Sequence, residues 1–150
     1  MTRGRLVLRT FAGLIIAASA CGGPPTLHPV AYTPQPERIE HPEKTLATLI
    51  VANTVQGCVA DPSYAEPIFV VKFICNVGAG NYVLRTDQIA SIELLQSSPW
   101  YRVRVRHSRG AEDFTWDSKS LDDAQHIADA IAGLARHAAA PQPASSGSKI

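Results

Sequence analysis

The chain has 150 residues, 45% of them hydrophobic and 18% charged, with 10 Gly, 11 Pro and 3 Cys. That apolar fraction excludes a wholly disordered chain, and the scattered Gly and Pro exclude collagen and a long coiled coil; one ordinary domain with flanking segments is what the length allows. Removing residues 1–20, which hold Arg3, Arg5 and Arg9 and no acid, turns 14 basic against 13 acidic residues into 11 against 13, a net charge of −2. Nucleic acid is therefore not an expected partner, because its binders carry a clustered basic surface.

The first twenty residues read as an export signal, with the three arginines followed by an apolar run from Phe11 to Ala20 that ends in small residues. A run of about ten residues is too short to cross a bilayer core, which takes about 20 apolar residues as a helix. Ala18-Ser19-Ala20-Cys21 then resembles the lipobox of bacterial lipoproteins, although Ala18 stands where that family usually has Leu. The resemblance implies cleavage after Ala20 and a lipid anchor, of the palmitate kind, on Cys21. It also implies a cell-envelope address; because Gly22 is not Asp, the outer membrane facing the periplasm is favoured over the inner membrane. A plain secretory site without lipid is the alternative. Cysteine parity favours the anchor, since lipidation of Cys21 leaves Cys58 and Cys75 as an even pair in an oxidising compartment.

Residues 21–44 contain six prolines and no hydrophobic period. They read as an extended tether that, at about 3.1 Å per residue, reaches up to roughly 75 Å. Residues 45–138 are expected to form the folded domain, and residues 139–150, with A-P-Q-P-A-S-S-G-S-K-I, a disordered tail.

In the domain, Leu46–Val55 is rich in branched residues and reads as a first strand. Residues 58–66 read as a loop around Asp61-Pro62-Ser63, and Cys58 and Cys75 as a disulfide worth about 3 kcal/mol by loop closure. Pro67–Val77 is a nearly continuous apolar strand, Gly78-Ala79-Gly80-Asn81 a turn, and Tyr82–Arg85 and Ile89–Leu95 further strands. Tyr101–His107 alternates, with Tyr101, Val103 and Val105 on one face and Arg102, Arg104 and Arg106 on the other. Glu112–Trp116 follows as the returning strand. Ser120 then caps an amphipathic helix with Asp122 and Asp123 in its first turn, Leu121, Ala124, Ile127, Ala128, Ile131 and Leu134 on its apolar face, and Asp122, Gln125, His126 and Asp129 opposite.

Five or six antiparallel strands packed against one C-terminal amphipathic helix make an α+β fold. The order of elements from Tyr82 to the helix resembles a PH-like domain, which implies a bent sheet or partly closed barrel capped by that helix.

Arg102, Arg104 and Arg106 could grip anionic groups of an envelope polymer; carboxylates at Glu93, Glu112, Asp113 or Asp117 could instead answer them across strands. Trp100, Tyr101 and Trp116 could form an aromatic ridge or pack the hairpin. His107, Ser108 and Asp113 are the residue types of a hydrolytic triad, yet no G-x-S-x-G, P-loop or metal-ligand spacing accompanies them. The expectation is a lipid-anchored, non-catalytic binding or assembly module for another envelope protein or polymer, needing no cofactor or metal. A small envelope hydrolase and a purely structural lipoprotein are the alternatives.

Overall fold

Ser120 Oγ accepts the Asp123 N–H at 3.0 Å, with Asp122 and Asp123 in the first turn of the helix that follows and Arg136 and His137 in its last. These groups satisfy an orphan donor and complement the helix dipole, which is why the helix begins where the sequence marks it. The structure, a computed structural model, describes residues 26–140. The signal-like segment, Cys21 and the tail from residue 141 lie outside the described residues.

Within them the chain runs β1 (His28–Pro29), α1 (Pro42–Ala52), β2 (Cys58–Ala65), β3 (Ile68–Cys75), β4 (Gly78–Arg85), β5 (Ile89–Ser97), β6 (Trp100–His107), β7 (Phe114–Ser118) and α2 (Leu121–Ala139). The fold is α+β. Its seven strands form two antiparallel sheets, ordered β1-β5-β6-β7 and β2-β3-β4, where the sequence suggested five or six. The sheets stay separate, and among the described residues they close no barrel.

Two segments differ from expectation for identifiable reasons. Residues 42–52 fold as α1 and not as a strand. Pro42 occupies the first helical turn beside Glu43, and Pro42, Leu46 and Ile50 are buried at the four-residue interval of a helix face. The second is the proline-rich stretch: from residue 26 onward it packs on the domain and is not a free tether. Pro29 pairs with Leu95, the Val30 N–H donates to Leu94 O at 2.8 Å, and Pro36–Arg38 forms a single tight turn. Tyr32 Oη and the Gln35 N–H both donate to Asp129 Oδ1 at 2.6 Å. Asp129 is thus fully buried, although the helix period alone assigns it to the solvent side, because the N-terminal segment covers that face of α2.

Gly133 makes this covering possible. A Cβ at that position would lie 3.0 Å from Pro42 Cβ, so α1 can approach α2 closely only over a glycine. Between these helices and the sheets sits one core, which includes Leu46 and Ile50, Phe69, Val71 and Leu84, Val103 and Val105, and Ile127, Ile131 and Leu134.

Both sheets bring their ends to two common poles. At the near pole, Asn53 Oδ1 accepts from Ser118 Oγ at 2.9 Å and Asn53 Nδ2 donates to Asp123 Oδ2 at 3.1 Å. One buried amide therefore joins the end of α1, the end of β7 and the start of α2. The β5–β6 and β3–β4 turns close the same pole. At the far pole, the Arg85 N–H donates to His107 Nε2 at 3.1 Å and the Thr86 N–H to Pro67 O at 2.9 Å.

Candidate functional site

Beside the near pole a groove of about 290 Å³ opens between the end of α1, the β2–β4 sheet and the edge of β7. Its construction begins with the β2–β3 hairpin. Residues 58–65 form a strand and not the expected loop, with alternate burial along their length, and Pro62 is tolerated because β2 is an edge strand. Cys58 and Cys75 are register partners, with Cα atoms 4.1 Å apart, and they form a disulfide across the hairpin's open end. That bridge makes one wall of the groove.

The floor is aromatic. Phe73 faces Gly80 across the β3–β4 ladder, and a Cβ on Gly80 would come within 2.8 Å of the Phe73 ring. The absence of that carbon lets Phe73 lie flat and stack on Tyr82 at a centroid distance of 5.0 Å. Tyr82 in turn meets Trp116 edge-on at 5.6 Å, a geometry that matches the ring quadrupoles. Trp116 Nε1 is buried without a hydrogen-bond partner, an unsatisfied donor in the floor of the groove.

The rim is polar and charged. Arg102 Nε and Nη2 donate to Asp117 Oδ1 and Oδ2 at 2.7 and 2.8 Å, and this paired bond raises the Arg102 pKa above its ordinary value. Arg104 bonds Glu93 through Nε at 2.8 Å and through Nη2, and Arg106 Nε lies 3.4 Å from the same carboxylate. Arg102 with Asp117, and Arg104 with Glu93, are direct cross-strand partners. The arginine row is thus answered by carboxylates of its own sheet. This is the cross-strand alternative that the sequence offered, and an anionic ligand at the row would have to displace these carboxylates.

The other singled-out residues disperse. His107 Nδ1 contacts Glu112 O at 2.8 Å and Nε2 accepts from the Arg85 N–H. Both ring nitrogens are used by backbone, and the imidazole acts as a post between β4 and the β6–β7 connection, with neither nitrogen free to take a proton from Ser108 or to pair with Asp113. Lys119 Nζ lies 5.8 Å from the Trp100 ring centroid, while Trp116 packs with Tyr82 and Phe114. His126 pairs with Asp122 on the outer face of α2 at 3.3 Å. Among the described residues no group of three His, Cys, Asp or Glu could hold a metal ion, and no helix is long and apolar enough to cross a membrane.

Sequence reasoning missed Phe73, Tyr82, Asn53 and Val55 as groove residues. A two-residue turn placed at Asn76-Val77 would have registered Phe73 against Gly80 and found the floor. Comparison with protein-family models, with curated proteins and with solved structures gives no match.

Proposed function

We propose that the chain is a lipid-anchored cell-envelope protein, and that its domain is a non-catalytic binding module that seats part of another envelope component in the groove. The observation that carries this reading is the groove itself: an apolar floor of Phe73, Tyr82 and Trp116 under a rim bearing Asn53, Thr54, Arg102, Thr115 and Asp117. An apolar concavity with few polar groups is the usual form of a ligand site. The signal-like start and Cys21 supply the address, and export fits the Cys58–Cys75 disulfide.

The test places a photo-crosslinking side chain at Tyr82, in the groove, and a second at Ala90, an exposed position near the far pole. In cells exporting the full chain, Tyr82 is expected to yield a discrete adduct with one envelope component and Ala90 none. The same products from both positions, or none from Tyr82, would remove the groove as the binding site.

A further inference from the structure

We propose that the near pole of the domain rests on the lipid surface, so that the domain touches the bilayer directly and is not held away from it. This placement rests on the reading of Cys21 as the anchor.

The first observation is reach. Thr26 and His28 lie against Gln96, Ser97 and Ser98 at the β5–β6 turn, so the chain leaves the domain at the near pole. Cys21 is five residues before Thr26, a span of at most about 18 Å when fully extended. With residues from 28 onward fixed to the domain, the stand-off of a 24-residue tether does not exist.

The second observation is what that pole exposes. Eight large apolar side chains are exposed among the described residues. Six of them belong to the elements that end there: Val51, Val55, Val59, Ile74, Val77 and Leu121. The other two, Tyr82 and Val83, lie further along β4. Val77, in the β3–β4 turn, is 99% exposed, Ile74 68% and Val55 52%. Soluble surfaces scatter such residues singly, and a concentration of them marks an interaction surface. Half-buried Trp100 stands at the start of β6, next to exposed Pro99, with its ring under the Lys119 ammonium. An aromatic ring beside a lysine suits the headgroup region, where one end of each side chain is wet and the other apolar.

Charge decides the kind of surface. Lys119 is offset by exposed Asp122 at the same pole, while Asp123 is engaged by Asn53. The pole has no cationic excess, so it contacts lipid through apolar side chains and does not require anionic headgroups.

The experiment uses the full lipid-bearing chain from its own membranes, reconstituted in phosphatidylcholine vesicles with or without bromine on the upper acyl chain. Tryptophan emission is expected to fall in brominated vesicles by up to about half, since buried Trp116 stays out of reach, equally at low and at 1 M salt, and this loss should disappear in Trp100→Phe. Val77→Asp, at a fully exposed turn position, should also weaken the quenching, and it guards against a folding defect in the tryptophan variant. Unchanged emission in brominated vesicles, from a protein whose Cys21 peptide carries lipid by mass spectrometry, would overturn the placement and leave the anchor intact. Quenching undiminished in Trp100→Phe would overturn it equally. An unmodified Cys21 peptide from native membranes would overturn the anchor and the placement together.

Discussion

Asp129 is the residue on which the N-terminal half of the domain depends. Its carboxylate is fully buried, accepts two hydrogen bonds at Oδ1 and has no partner at Oδ2. A buried carboxylate is tolerated when donors are fixed around it, and here the donors belong to the segment that covers it. Burial, then the hydrogen bond and negative charge of Asp129, push the Tyr32 hydroxyl up from 10.0 to about 12, against a smaller opposing effect from Arg38. The folded state therefore holds this proton more tightly than the unfolded state. The resulting stability is complete below pH 10 and is lost as pH rises from 10 to 12. Tyr32→Phe should cost about 2 kcal/mol in urea unfolding at neutral pH, the value of a hydrogen bond to a charged group. The same variant should show a shallower alkaline decline than the parent across that window. Parallel curves for parent and variant would mean that Tyr32 does not titrate in contact with Asp129.

Between elements, two contacts set the geometry of the groove, and each gives a measurable consequence. Gly133→Val would force a branched side chain into the space that Pro42 occupies, and overpacking of this kind costs about 1–3 kcal/mol. Gly133→Ala should be milder, since a gain of about 1 kcal/mol in helix propensity offsets part of the crowding. Removing the bridge with Cys58→Ala and Cys75→Ala should lower stability by about 3 kcal/mol, in chemical denaturation without reductant, because it frees the loop closure between β2 and β3. The legibility of these elements follows their physics. For α2, the cap, the acidic first turn and the apolar period agree, so its start could be read directly. In α1 the buried positions Leu46 and Ile50 satisfy a period of two as well as a helical one, and the β-branched Thr45, Thr48, Ile50 and Val51 tip the choice towards a strand. Strand β2 was hidden by Asp61-Pro62-Ser63, which carries turn chemistry but lies along a sheet edge. The groove was only half legible, through Trp116 and the disulfide pair. Its other aromatics depend on hairpin register, which hydrophobic pattern leaves open when the turn is placed two residues late.

For the whole molecule, the boundary of the folding unit decides how the domain is presented. Composition sets it at residue 45, since six prolines in residues 21–44 suggest chain without tertiary contacts. The contacts set it near residue 26. A chain starting at 45 lacks β1, both donors to Asp129, and the Pro42 that packs on Gly133. Losing two hydrogen bonds to a buried charge at about 1.5–3 kcal/mol each already approaches the 5–15 kcal/mol on which a domain of this size relies. Residues 26–140 should therefore unfold in one cooperative thermal transition with a distinct near-ultraviolet circular dichroism signal. Residues 45–140 should lose both the cooperativity and most of that signal. Equal midpoints for the two chains would return the segment to the status of a tether and restore the long stand-off. A large difference would mean that the prolines stiffen a covering strap: with φ already fixed, Pro29, Pro34 and Pro36 lose little entropy on docking to α2 and β5. The composition that mimics a linker would then be what makes the strap inexpensive to order.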